Sequence, residues 1–121
     1  MYVQGFIVPV PADKQEAYRE VAEKFWPIAH GNGAVEHVEA WEADVSDGKQ
    51  TDFRRAVAAK DGEKIVFTWQ VWPDKESFYA AEQKMHEDGR LDGSGEPPFD
   101  ARRLILGCFQ PIFAMGRDAA A

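Results

Sequence analysis

The chain has 121 residues, of which 45% are hydrophobic and 29% are charged, and its formal net charge is -7. These values are typical of one soluble globular domain, and they argue against nucleic-acid binding because an acidic protein repels the phosphate backbone. No apolar run approaches the ~20 residues that cross a bilayer, and the opening YVQGFIVPV lacks the basic region of a signal peptide. We therefore predict a cytoplasmic protein without membrane contact, and the lone Cys108 excludes an internal disulfide framework.

The first half of the chain predicts a strand, a helix and a second strand. Residues 2–10 form a strand pattern that ends in the PVPAD segment, where Asp13 is placed to cap the helix that follows. Apolar residues recur at helical spacing over residues 14–29, and Pro27 is expected to bend or end this helix. After the HGNG stop signal, residues 34–45 (AVEHVEAWEADV) alternate with a period of two, which predicts the second strand.

The second half predicts two further strands around a second helix. The polar connection over residues 46–60 is expected to hold a short helix or an irregular flap, and residues 64–72 (KIVFTWQVW) form the strongest strand pattern. Residues 75–87 predict the second helix, and residues 88–100 are loop by composition. Residues 103–115 (RLILGCFQPIFAM) predict the last strand.

The resulting order, β-α-β-β-α-β, predicts an α+β ferredoxin-like two-layer sandwich with an antiparallel sheet and both helices on one face. We expect one domain over residues 1–116 and a disordered tail over 117–121. Along the strongest strand, one set of alternate residues is uniformly apolar and suits the helix side, and the other set is mixed. The first set is Ile65, Phe67, Trp69 and Val71, and the second is Val66, Thr68, Gln70 and Trp72. We expect the mixed face to be open and to serve dimerisation.

Four segments form a specific pattern over residues 2–113. They are the opening YVQGFIVPVP with its Asp-Lys helix start, the GAVEHVEAWEADV strand, the VFTWQVWPDKE segment and PPFDARRLILGCFQPI near the end. This pattern closely resembles the YbaA-like bacterial family of unknown function. The resemblance implies a ferredoxin-like monomer of the dimeric α+β barrel superfamily, in which two sheets of a homodimer usually pack face to face. It implies no particular activity.

Distant members of that superfamily degrade heme with an Asn on the first strand, a Trp on the third strand and a His on the second helix. Trp69 matches the Trp, but the first strand offers Gln4 in place of Asn, and His86 lies late on the helix. That activity is not carried over, and we predict no cofactor.

One face of the second predicted strand carries side chains of catalytic type. His37 and Glu39 point the same way, with Cβ atoms about 7 Å apart, so they form a candidate acid/base pair. The candidate substrate contacts are Trp41, Trp69, Trp72 and Gln70. Two other interpretations remain for the pair: hydrogen bonding to polar groups across the sheet or a dimer interface, and metal binding. No third ligand stands at a fixed spacing, so we predict no metal site.

The sequence thus supports two functional hypotheses. The first is a homodimeric small-molecule-binding protein or cofactor-independent enzyme, with a pocket beside the sheet. The second is a non-catalytic assembly module whose polar sheet face serves only subunit docking. The second hypothesis draws on polar residues that several strands bring to the face of His37, namely Gln4, Thr68, Gln70 and Gln110.

Overall fold

The computed structural model of the protein describes residues 1–88 and 97–116. Its elements in chain order are β1 (Tyr2–Pro11), a 3-10 turn (Ala12–Lys14), α1 (Gln15–Gly31), β2 (Glu36–Trp41), α2 (Phe53–Ala56), β3 (Glu63–Trp72), α3 (Lys75–His86) and β4 (Ile105–Phe109). The predicted tail over 117–121 lies outside the described residues, and so do residues 89–96 of the predicted loop.

The four strands form one open sheet in the order β2-β3-β1-β4. All neighbouring strands are antiparallel, and β1 and β3 are the central pair. Side chains that lie opposite each other in register share one face of the sheet. Gln4 and His37 both lie opposite Gln70, and Glu39 lies opposite Thr68. The predicted grouping of polar side chains on one face is therefore confirmed for Gln4, Thr68 and Gln70, but Gln110 lies beyond the end of β4 and donates to the carbonyl of Met1.

Helices α1 and α3 pack on this same face and bury the core. One core cluster joins Tyr2 and Trp72 of the sheet to residues of both helices, and Trp72 has no exposed surface. A second cluster joins Tyr18 of α1 to Val8 and Val66. Burial of large aromatic rings contributes most of the stabilisation in a core of this size.

The predicted assignment of the two faces of β3 is wrong. The helices cover the mixed set that contains Thr68 and Gln70, and both of these residues are buried. The apolar face is the open one: Phe67 is 47% exposed, and Phe109 on β4 is 61% exposed. The mixed face tolerates burial because its polar groups bond to one another, which removes most of the cost of dehydrating them.

Helix α1 differs from its prediction at both ends. The Asp13 side chain makes no capping bond, because a 3-10 turn precedes the helix and Lys14 occupies the N-cap position. The helix also continues through Pro27 to Gly31. Pro27 is exposed, so water can bond the carbonyl group that the proline leaves without a donor. At the C-terminus, the Asn32 side chain donates to the carbonyl of Ile28 at 2.8 Å.

Two strands are shorter than predicted, and the long connection contains a helix. The second strand covers Glu36–Trp41, and the last strand ends at Phe109. In the polar connection, Asp52 caps the short helix Phe53–Ala56 by accepting a bond from the backbone N–H of Arg55. The expectation of a short helix there is confirmed.

Candidate functional site

His37 and Glu39 meet on the face of β2 that the helices cover. The Nε2 atom of His37 lies 2.6 Å from Oε2 of Glu39, and the side chains are only 11% and 20% exposed. Strand geometry explains the contact, because residues two apart on one strand project on the same side. This contact is compatible with two of the interpretations from the sequence, a structural polar pair and an acid/base pair.

A chain of hydrogen bonds fixes the tautomer of His37. The indole N–H of Trp72 can only donate, so the atom that faces it at 2.7 Å is the carbonyl oxygen Oε1 of Gln70. The Nε2 amide group of Gln70 therefore points at Nδ1 of His37, at 2.9 Å, and donates to it. Nδ1 is then the acceptor, and Nε2 of His37 carries the hydrogen that is donated to Glu39. The imidazole is neutral in this arrangement.

Glu39 accepts two further hydrogen bonds. The Tyr18 hydroxyl group of α1 donates to Oε1 at 2.7 Å, and the Thr68 hydroxyl group donates to the same oxygen. Burial alone would raise the pKa of Glu39, but the donors His37, Thr68 and Tyr18 outweigh it, so the pKa lies below its usual value. Burial, and next the charge of Glu39, raise the pKa of Tyr18. The network therefore holds one carboxylate charged, with hydrogen bonds to both of its oxygens.

A cavity of about 190 Å³ opens above this network. Its polar floor consists of Gln4, His37, Glu39, Thr68 and Gln70, with Tyr18 at the side, and its apolar walls include Phe6, Val21, Phe25, Phe99 and Leu104. Within the part of the chain that the structure describes, the side-chain amide of Gln4 has no hydrogen-bond partner. We call this space the helix-side cavity.

The segment over residues 97–104 closes one side of the helix-side cavity. The ring of Phe99 packs edge-on against Tyr18, with centroids 5.6 Å apart. Arg103 anchors the segment to β3 through two bonds to Glu63, at 2.7 and 2.6 Å, and it also bonds Asp100 at 3.0 Å. Arg103 lowers the pKa of Glu63, and it is the main cause of the low pKa of Asp100, about 2. Both carboxylates are thus charged partners of this anchor.

The tryptophans expected to contact a substrate lie elsewhere. Trp41 is half-buried and packs against the cluster around Tyr18, beside the helix-side cavity and not in its lining. Trp69 lies on the open face of the sheet and donates from its indole nitrogen to Glu36 at 2.9 Å. Trp72 lies beneath the floor and orients Gln70. Of the four candidate contacts, Gln70 is the one that lines the cavity.

Sequence reasoning missed Tyr18 and the segment over residues 97–104. Tyr18 lies on the buried face of α1. Because a buried tyrosine hydroxyl group usually has a hydrogen-bond partner, this residue indicated a polar group in the core. The arginines of the segment over 97–104 indicated contacts with carboxylates, but its place in the cavity wall did not follow from the sequence, because it depends on which carboxylate Arg103 pairs with, namely Glu63 on β3.

Two further observations concern the described ranges, residues 1–88 and 97–116. Among these residues, no three His, Cys, Asp or Glu side chains are grouped as metal ligands would be. No helix among them has the length and apolar character needed to cross a membrane.

The fold and the cavity define a small α+β protein with an antiparallel sheet and, between that sheet and a helix, a pocket with a polar floor and apolar walls. Comparison with known proteins gives the family. The chain belongs to the family described as "Protein of unknown function (DUF1428)", whose profile matches residues 1–101. It is also 52% identical, over 112 residues, to the "Uncharacterized protein YbaA" of Escherichia coli strain K12, a match that covers 92% of this chain and 96% of the relative. The protein with the same description from Shigella flexneri matches to the same extent. The resemblance to the YbaA-like family is therefore confirmed.

Proposed function

We propose that this protein binds a small molecule in the helix-side cavity, on a floor that His37, Glu39 and Gln70 build. The observation that carries the proposal is the cavity itself, because its floor is polar and hydrogen-bonded while its walls are aromatic and aliphatic. Small-molecule sites in proteins combine these two features, with few polar groups that fix the orientation of the ligand.

The hydrogen bonds favour binding over proton transfer as the role of His37 and Glu39. Each nitrogen of His37 has a partner, and the carboxylate of Glu39 accepts bonds from three side chains. A carboxylate with a lowered pKa is a weak base, and Nδ1 of His37 accepts a substrate proton only after Gln70 moves. As it stands, the network is a preorganised surface that costs little to order when a ligand binds.

We also propose a ferredoxin-like domain over residues 1–116 that forms a homodimer of the dimeric α+β barrel type. The strand order β2-β3-β1-β4, with antiparallel neighbours throughout, supports the ferredoxin-like topology. The open apolar face supports the dimer, because Phe67 and Phe109 expose large rings to water there. This dimer contacts through the face opposite to the one expected from the sequence. We also propose that the protein is cytoplasmic.

The binding proposal is tested with a library of single-ring compounds of about nine to twelve non-hydrogen atoms, a size suited to a cavity of this volume. Ligand-observed NMR finds the compounds that bind, and ¹H–¹⁵N spectra locate them. We expect binding compounds to shift the side-chain amide signals of Gln4 and Gln70. His37→Ala should weaken this binding while the mass measured by light scattering stays that of the wild type. The matched control is His86→Ala, since His86 is exposed at the end of α3. The proposal is wrong if no compound shifts a signal from the cavity.

The second candidate function is a non-catalytic assembly module, and the open apolar face favours it. If dimerisation were the whole function, the helix-side cavity would be a packing defect filled by water. Light scattering at micromolar concentration tests the dimer on which this candidate depends. If the protein is entirely monomeric there, the assembly function is ruled out.

A further inference from the structure

We infer that the helix-side cavity takes an uncharged or cationic ring compound, that the Gln4 amide bonds it directly, and that the Glu39 carboxylate excludes anions. This inference rests on the proposed binding function and names the class of ligand. Three features of the cavity carry it: its charge, the unpartnered amide of Gln4 and its size.

The charge of the cavity is negative. Glu39 is the one lining residue with a formal charge among the described residues, because the bonding of His37 requires a neutral imidazole. No arginine or lysine side chain lines the cavity within the described ranges. An anion would therefore lose its hydration without gaining a counter-ion, and the -7 net charge of the chain adds to the repulsion. A neutral ligand has no charge to dehydrate, and a cation that loses its hydration gains the carboxylate of Glu39 as a counter-ion.

Among the described residues that line the cavity, Gln4 is the polar side chain for which the structure shows no hydrogen-bond partner. Gln70, His37 and Glu39 already hold hydrogen bonds to one another and to the side chains of Trp72, Tyr18 and Thr68. The Gln4 amide lies beside them, opposite Gln70 in the sheet, and has no partner in the described part of the chain. A side-chain amide has two N–H donors and one acceptor oxygen, so it is able to bond a neutral amide-like group as well as an N–H donor.

The size of the cavity suits a single substituted ring. A volume of about 190 Å³ exceeds the roughly 150 Å³ of a cavity that holds benzene. The walls supply aromatic faces from Phe6, Phe25 and Phe99, against which a flat ring packs well. A molecule with two fused rings and long substituents exceeds this space.

Benzamidine, benzamide and benzoate test the inference, because they share one shape and differ in charge from positive through neutral to negative. Each is titrated at about pH 8, above the ordinary range of imidazole titration, and the cavity is followed by the side-chain amide signals of Gln4 and Gln70. We expect benzamide and benzamidine to bind, and benzoate to bind at least about tenfold more weakly. In Glu39→Gln the disadvantage of benzoate should shrink to less than about threefold, because the repelling charge is gone.

Gln4→Leu separates ligand contact from structural support. The variant keeps the size of the side chain and removes an amide that bonds nothing in the fold, so its melting temperature should stay within about 2 °C of the wild type. Its affinity for benzamide should fall at least about threefold.

Three outcomes overturn the inference. Benzoate that binds in the cavity as tightly as benzamide refutes the charge selection while the binding function stands. If Gln4→Leu binds benzamide as tightly as the wild type does, the proposed contact between the Gln4 amide and the ligand is refuted. A panel in which no ring compound of any charge shifts a cavity signal removes the binding function and the inference together.

Discussion

The bond from Tyr18 to Glu39 provides a direct test of the buried network. Tyr18→Phe removes the hydroxyl group that donates to the carboxylate at 2.7 Å and keeps the ring that packs against Phe99. A hydrogen bond to a charged group contributes about 1.5–3 kcal/mol. Because His37 and Thr68 still donate to Glu39, we expect a loss near the lower end of that range. That is about 1.5 kcal/mol at neutral pH, or about 5 °C in melting temperature.

The loss of stability in Tyr18→Phe should change with pH in a direction that the pKa of Glu39 determines. The pKa of Glu39 is lower in the folded protein than its usual value. Its stabilising contribution is therefore complete above the unfolded pKa of about 4.3, and it is lost as the pH falls through the folded pKa. Tyr18→Phe removes one cause of that lowering. The difference in unfolding free energy between wild type and variant should thus be largest near neutral pH and should shrink in acid.

Urea unfolding at a fixed protein concentration, followed by tryptophan fluorescence at several pH values, measures this difference. Tyr79→Phe is the matched control, because Tyr79 is half-exposed and the hydrogen bond between its hydroxyl group and that of Tyr2 is 3.5 Å long. The control should change stability by less than about 0.5 kcal/mol. An equal effect of the two variants, or a Tyr18 effect that grows in acid, would refute the account of the network.

Two further predictions concern the anchor of the cavity wall and the open face. Arg103→Leu leaves the buried Glu63 without its ion-pair partner and should lower the melting temperature by roughly 5 °C or more, whereas Arg102→Leu, at a side chain that is 91% exposed, should leave it unchanged. Equal melting temperatures for the two variants would contradict this role. Phe67→Glu places a charge on the open face and should convert the proposed dimer to a monomer in light scattering, and Ala80→Glu on the outer side of α3 should not. A dimeric Phe67→Glu variant would show that the subunits meet elsewhere.

Local patterns in the sequence predicted the elements and part of the site. The alternation around His37 and Glu39 places both side chains on one face, and strand geometry alone requires this. The four strands and the two long helices follow from the same kind of periodicity. The end of α1 was harder to predict, because an exposed Pro27 is tolerated wherever water can replace the lost hydrogen bond.

The tertiary structure decided which face of the sheet the helices cover and which groups meet there. The alternation on β3 favoured burial of the uniformly apolar set, whereas the folded protein buries the mixed set with Thr68 and Gln70. The outcome depends on whether Gln70 and Thr68 find partners, and these come from β2, through contacts between residues 29 and 33 positions apart. The hydroxyl group of Tyr18 on α1 is a further partner that only the folded chain brings to Glu39. A buried polar group is stable only when all its partners are in place, so the helix-side cavity with its charged floor is a property of the folded chain.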